Sequence, residues 1–272
     1  MSIAPTNSVP TSVGRVVGLW RYPVKSMGGE VLSMANVGDT GIVGDRSFGV
    51  IDADTGKLLS AKRVPQLLSA SATCRDDGEV SISLPATGSG HSGPITSDDT
   101  DIDERLSQWL SRSVQLRRPI AGERATVECE TDLDDPSVFV EFPTPAGLFF
   151  DSRSVLHLVT EASLRSGLSL HRTGQWNTAR FRPNILVETV DGTQGWVEDA
   201  WVATELHVGG VRTTVRKPCE RCVITTRAQP GLDRDLDILK TLAAFHDSCL
   251  GIYLDVTGVG TVMVGDEVLQ SA

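Results

Sequence analysis

The sequence predicts a mixed α/β fold, mostly β, built around a closed or nearly closed barrel. Short runs rich in β-branched residues recur between Gly, Asp and Asn turns along the chain. Helical periodicity is confined to segments near 102–113, 160–168 and 236–245. There is no repeat of solenoid period and no strand–helix alternation of the kind that winds a parallel sheet.

Taken in order, residues 1–12 are polar and read as a flexible tail without the apolar run of a secretory signal. VGRVVGLWRYPVKS, EVLSMANVGD, DRSFGVIDADTGKLLS, QLLSASATCR and EVSISLP then read as strands, and residues 86–99, small and polar, as a loop. IDERLSQWLSRS sets Ile102, Leu106, Trp109 and Leu110 on one helical face, with Thr100 and Asp103 as its capping start. VQLRRPI is a strand, and the acid- and proline-rich stretch 129–147 a loop. VLHLVTEASLRSGL is a strand entering a short helix capped by Thr160. FRPNILVE is a strand, ELHV and VRTTV form a hairpin through Gly209 and Gly210, and CVITT is a further strand. LDILKTLAAF is a helix, and the chain closes on two strands, GIYLDVTG and GTVMVGDEV.

The 272 residues can bury a sizeable core as one large domain or two intimate ones. A net charge of -10 and a pI near 5.0 lack the broad basic field that nucleic acid or an anionic membrane needs, so neither is an expected partner. No run of about 18 apolar residues occurs, and a cytoplasmic protein is expected. Cys74, Cys129, Cys219, Cys222 and Cys249 are odd in number and scattered, which predicts free thiols.

The sharpest local feature is RKPCERCVITT, residues 216–226. Zinc would need further ligands, and only His207, His246 and Cys249 lie within reach in sequence. A dithiol switch would usually start a helix, whereas CVITT reads as a strand. The third reading makes Cys219 the single thiolate ligand of a soft metal. Arg216 and Lys217 favour the ionised sulfur, Pro218 stiffens its approach, and Cys222 is packed in the core.

RYPVKSMGGE (21–30), DRSFGV (45–50), TEASL (160–164), FRPNILVE (181–188), KPCERCVITT (217–226) and the terminal GTVMVGDEV, in this order, resemble the MOSC proteins with an N-terminal MOSC-associated barrel. Within them the chain looks like the YcbX-type proteins and the mitochondrial amidoxime reducing components, over residues 13 to about 268. The resemblance implies an N-terminal β-rich domain at 13–120 and a MOSC β-barrel domain at 121–272 packed against it, the first strands contributing to the same unit.

It further implies a molybdenum cofactor, that is, a molybdopterin whose metal also binds Cys219. Matching positions supply Lys25, Ser26, Arg46, Arg182 and Asn184 for its phosphate and pterin edges, arginine by planar forks and lysine by point charge. Lys217 and Pro218 flank the ligand, and amides at the start of the Thr160 helix offer another anion contact. Each has a plainer reading: Lys25 in water, Arg46 paired with Asp45, Arg182 on a buried acid. The tryptophans and His157 are expected in the core, and the TDLDDP carboxylates in a solvated loop that can border an entrance. Glu220 stands where relatives often carry serine, and Arg180 where they carry a neutral residue.

The implied activity is reduction of N-hydroxylated small molecules such as amidoximes, hydroxylamines or N-hydroxylated bases. A separate flavin or iron–sulfur protein is expected to donate the electrons. The alternative is a cofactor or sulfur carrier without turnover; the pyridoxal-dependent desulfurase-like domain of the cofactor sulfurases is not found.

Overall fold

Strand β1 (Thr11–Arg21) buries Val16 and Leu19 inside a barrel although they lie three residues apart. Strict alternation would send them to opposite faces, and a bulge between Val16 and Gly18 restores the phase, turning Val17 and Trp20 outward to a helix-covered core. The computed structural model describes residues 10–85, 93–130, 135, 137–190 and 193–271. After β1 come β2 (Glu30–Leu32), β3 (Met34–Gly38), β4 (Gly41–Ile42), β5 (Gly49–Asp52), β6 (Ser71–Cys74), β7 (Val80–Ser83) and β8 (Ile95–Thr96). Helix α1 (Ile102–Leu110), β9 (Val114–Arg117), β10 (Thr126–Glu130), β11 (Phe139–Pro143) and β12 (Leu156–Thr160) follow. The remainder is α2 (Glu161–Leu170), α3 (Thr178–Phe181), β13 (Ile185–Thr189), β14 (Glu205–Val208), β15 (Val211–Glu220), α4 (Asp237–Phe245), β16 (Cys249–Gly258), β17 (Gly260–Met263) and β18 (Glu267–Ser271).

The mostly β architecture centres on a closed seven-stranded barrel, β13-β12-β16-β15-β14-β18-β1, sealed where β1 pairs antiparallel with β13. Closure removes the open sheet edges that would invite aggregation. At the seam a Cβ on Gly14 would fall 2.4 Å from the Glu188 carbonyl oxygen, so the close approach requires glycine. Val16, Leu158, Val187, Leu206, Val215 and Leu254 fill the interior. Outside it, α2, α3 and α4 enclose Val159, Phe181, Leu186 and Leu242. A separate core around Met27, Leu67, Ile82, Ile95 and Leu106 belongs to β5–β9 and α1.

Several expectations are corrected. Thr11 and Ser12 begin β1, paired with Gln270 and Leu269, and are not tail. Pro65–Ser69 is a 3-10 turn seeded by its proline, and Ile95–Thr96 joins β7 inside the expected loop, whose residues 86–92 lie outside the described set. α1 starts from Asp101 without a side-chain cap, because the Asp103 carboxylate accepts instead from Leu116 N at 2.8 Å. The stretch 129–147 contains β11, which becomes a strand by pairing with β10 and burying Val127 against Phe142. Its TDLDDP acids fall outside the described residues except Asp135. Val223–Thr226 is a 3-10 turn because the Thr225 and Thr226 hydroxyls donate to the Cys222 and Val223 carbonyls, competing with a ladder.

Candidate functional site

A cavity of about 210 Å³ opens at the barrel end where β12 and β13 begin and β15 finishes. The N-terminal part lines it with Lys25, Ser26, Arg46, Ser60 and Lys62. From the later chain come Asp151, His157, Arg182, Asn184, Glu220, Arg221, Cys222 and Tyr253. Lys25, Ser26, Arg46, Arg182 and Asn184, widely separated in sequence, thus meet around one space.

Three of these five stand in the left-handed region that side chains usually avoid: Ser26 at φ 71°, Arg46 at φ 48° and Arg182 at φ 53°. Such residues cost roughly 1–3 kcal/mol each and persist where surrounding structure imposes them. The Ser26 hydroxyl accepts from Ala61 N at 2.9 Å, and Arg46 N donates to the Tyr22 carbonyl at 2.8 Å. Arg182 ends α3, its N–H donating to Thr178 O at 2.8 Å, and Pro183 behind it disfavours a continued helix.

Charge in the cavity is arranged around Asp151, whose carboxylate meets Lys25 Nζ at 2.5 Å and Lys62 Nζ at 2.8 Å. Burial would raise that carboxyl, but the two ammoniums hold it well below its ordinary range. Burial lowers Lys25 against the pull of Asp151; at Lys62 it acts in the same sense but Asp151 outweighs it, leaving that ammonium raised. Arg46 pairs with the buried Asp45 carboxylate, which also accepts from Asn184 Nδ2 at 3.0 Å and Tyr22 N at 2.7 Å. Burial pushes the Tyr22 phenol up to about 12. Arg182 lies 4.2 Å from the centre of the Tyr22 ring and makes no ion pair among the described residues; burial pulls it down to about 10.

The Cys219 sulfur lies behind two of the cavity's lining residues, Arg221 and Tyr253. Cys219 is fully buried, and its Sγ accepts from Arg221 Nη1 at 2.7 Å and is hydrogen-bonded to the Tyr253 hydroxyl. The sulfur does not line the cavity itself, whereas both of its partners do. Burial raises the thiol despite Arg221 and Tyr253. His157, buried as expected, also lines the space, and burial followed by the Arg221 charge holds it well below its ordinary value. Cys222, expected in the core, is half-buried and faces the cavity, because the turn at Val223–Thr226 breaks the strand that would have packed it.

Three other candidates lie elsewhere. Lys217 is half-buried outside the cavity lining and pairs with Glu220 at 2.7 Å, so its charge reaches the cavity only through that carboxylate. Pro218 sits in the β15 ladder opposite Ile252, beside an irregularity that accommodates its missing N–H. Thr160 caps α2 as predicted, accepting from Ser163 N at 3.1 Å, but is sealed from the cavity. An acid already occupies that helix end: the Glu198 carboxylate accepts from the Thr160 and Ser163 hydroxyls at 2.7 and 2.6 Å.

Glu198 has one carboxylate oxygen without a partner among the described residues, and burial raises its pKa. The folded protein therefore keeps this proton to higher pH than the unfolded chain does, and its contribution to stability falls as pH rises through that window. Glu198→Gln, which retains an acceptor for both hydroxyls, is expected to flatten this decline and raise the melting temperature at neutral pH. Identical melting-temperature profiles against pH would refute it.

Lys62, Asp151, Arg221 and Tyr253 escaped the sequence reading. Arg221 lies inside the C-x2-C and was visible as a cation beside a thiol, whereas Tyr253 and Asp151 carry no local mark. For zinc, the His171, Asp235 and Asp237 ligand atoms lie within 4.8 Å of one another, the one such trio among the described residues, and it includes no cysteine. Also among these residues, no helix is long and apolar enough to cross a membrane.

Comparison with known proteins agrees with the architecture. Residues 13–121 match the MOSC N-terminal beta barrel domain and residues 147–269 the MOSC domain. The chain is 28% identical over 297 residues to mitochondrial amidoxime reducing component 2 of Bos taurus, covering 95% of this chain and 83% of that one. It is 26% identical over 292 residues to mitochondrial amidoxime-reducing component 1 of Homo sapiens, covering 94% and 82%. Human molybdenum cofactor sulfurase is 24% identical over 299 residues, 93% of this chain but 32% of the sulfurase. The crystal structure of the YUAD protein from Bacillus subtilis shares the fold, with a TM-score of 0.50 at 10% identity, covering 97% of this chain and 100% of that chain.

Proposed function

The chain belongs to the proteins that join a MOSC N-terminal β-barrel domain to a MOSC domain, and from that membership we propose that its cavity holds the molybdenum cofactor and that the protein reduces N-hydroxylated small molecules. The observation that carries the reading is the pair of guanidiniums at the cavity, Arg182 buried and Arg221 half-buried, neither with an ion-pair partner among the described residues and one bonded to the Cys219 sulfur. Uncompensated buried cations are costly unless an anion completes them. The buried Arg221 Nε is likewise without a partner among the described residues. A phosphate-bearing, thiolate-seeking group meets both needs, so the residues present fit it.

Cys219 would hold the metal, and Lys25, Ser26, Arg46, Arg182 and Asn184 the organic part and its phosphate. Bound there, the group would supply two-electron reduction of an N–O bond. The chain's own part is to fix the sulfur, exclude bulk water through Phe150, Phe181 and Ile224, and present Glu220 at the rim for proton delivery. A separate flavin or iron–sulfur protein completes the reading as electron donor. The names of the amidoxime reducing relatives, matched over most of their length, favour this substrate class.

The test is protein made in a cofactor-competent host, assayed for molybdenum and pterin oxidation products and then for benzamidoxime reduction with a chemical electron donor. Loading without turnover would favour the second reading, a carrier, which the sulfurase match supports. Absence of both molybdenum and pterin would overturn the proposal. Arg182→Ala is expected to lower molybdenum content about tenfold or more, the scale at which ligand-supporting residues act; full occupancy in that variant would remove Arg182 from the binding set.

A further inference from the structure

Resting on that reading, we infer that Arg221 is a positioning residue that aims the Cys219 sulfur at the metal, with His157 as the group that aims Arg221. A buried cysteine at the end of β15 has only its own short side chain to direct it, and the ladder is irregular there between Pro218 and Glu220. Arg221 supplies what the strand lacks. Its planar fork reaches Cys219 Sγ at 2.7 Å through Nη1 and the Phe181 carbonyl at 2.8 Å through Nη2. With both ends of the fork held, the plane of the guanidinium is set and the sulfur meets it along one direction.

His157 fixes that plane from a third side. Its Nε2 lies 3.3 Å from Arg221 Nη1 and 3.2 Å from the Leu250 carbonyl oxygen, and its ring also bonds the Arg182 carbonyl. Of the two neutral tautomers, Nε2–H would donate to the Leu250 carbonyl, whereas Nδ1–H leaves the Nε2 lone pair to the guanidinium, and the role inferred for His157 requires the second. The seat for this ring is built into the backbone. Gly251 stands at φ 78°, and a Cβ there would fall 2.5 Å from His157 Nε2 and 2.5 Å from the Leu158 carbonyl oxygen, so a side chain would evict the imidazole. The line Arg182 O, His157, Arg221, Cys219 thereby ties a cofactor-facing turn to the metal ligand.

The experiment compares wild type, Arg221→Met, His157→Asn and His157→Gln, all made in a cofactor-competent host. Molybdenum per chain, sulfur ligands counted by X-ray absorption at the molybdenum edge, and thermal melting are measured. Arg221→Met is expected to retain a cooperative melt but lose molybdenum about tenfold or more, the residual metal lacking one sulfur neighbour. His157→Asn keeps a polar group near Nδ1 but removes the Nε2 acceptor and should lose metal; His157→Gln can place an acceptor near the Nε2 position and should recover it. If Arg221→Met does not fold, the Asn and Gln pair decides alone. A loaded wild type alongside equally loaded, sulfur-complete Arg221→Met or His157→Asn overturns the role of Arg221. An empty wild type overturns the functional reading and this inference with it.

Discussion

Replacing Cys219 by serine is expected to cut bound molybdenum by well over tenfold and abolish turnover, while the melting temperature moves by only a few degrees. The asymmetry follows from the sulfur's surroundings. A hydroxyl of similar size can still accept from Arg221 and Tyr253, so the buried polar network survives the exchange. What is lost is the soft, ionisable ligand that a metal of this kind selects, since a serine hydroxyl does not deprotonate near neutral pH. Cys222 faces the cavity but has no such partner at hydrogen-bond distance among the described residues, and Cys222→Ser is expected to keep molybdenum near the wild-type level. Metal analysis of the two variants side by side is the check. Loss in Cys222→Ser with retention in Cys219→Ser would exchange their roles and defeat the assignment.

Local chemistry was the readable part of this chain. The ELHV and VRTTV hairpin, the strand entering α2 with Thr160 as its cap, and α4 are all marked by residues within a few positions of one another. The partner of a strand is not marked in that way. That β1 runs between β13 and β18, some 170 and 250 residues on, follows from barrel closure and from no pattern in β1 itself. β11 shows why the hairpin at 126–143 was missed, because its exposed Phe139 and Val140 break the alternation that identifies half-buried strands. The site divides similarly. Lys25, Ser26, Arg46, Arg182 and Asn184 sit in recognisable short motifs, whereas Lys62, Asp151 and Tyr253 are ordinary residues in ordinary strings until folding brings them to the cavity. Thr160 illustrates the reverse error: a good cap whose helix amides looked available until Glu198, 38 residues later, proved to occupy that end.

Arg180→Met is expected to destabilise the fold by about 3 kcal/mol, through backbone carbonyls rather than through charge pairing. Arg180 has no exposed surface, and its guanidinium donates to the carbonyls of Gln175, Thr225, Arg227 and Asp233, at 2.9, 3.3, 3.3 and 2.6 Å, and to the Gln175 side chain at 3.3 Å. These acceptors come from three separate stretches: the approach to α3, the turn at Val223–Thr226 and the loop before α4. Methionine fills much the same volume but donates nothing, and each acceptor left buried without a partner costs about 1–3 kcal/mol where water cannot replace the donor. Most of them are only part-buried and regain water, which brings the total below their simple sum. For a chain of this size that loss corresponds to a fall in melting temperature of roughly 6–12 °C. Lysine in the same place would recover little, since one ammonium cannot span acceptors that a flat fork reaches on three sides. The turn carrying Thr225 also carries Ile224 at the cavity wall, so the same substitution should loosen cofactor retention as a secondary effect while leaving Arg221 and Cys219 chemically intact. A melting temperature within a degree or two of wild type would mean that the four carbonyls find other donors, and that the arginine before Arg182's own turn has no structural duty.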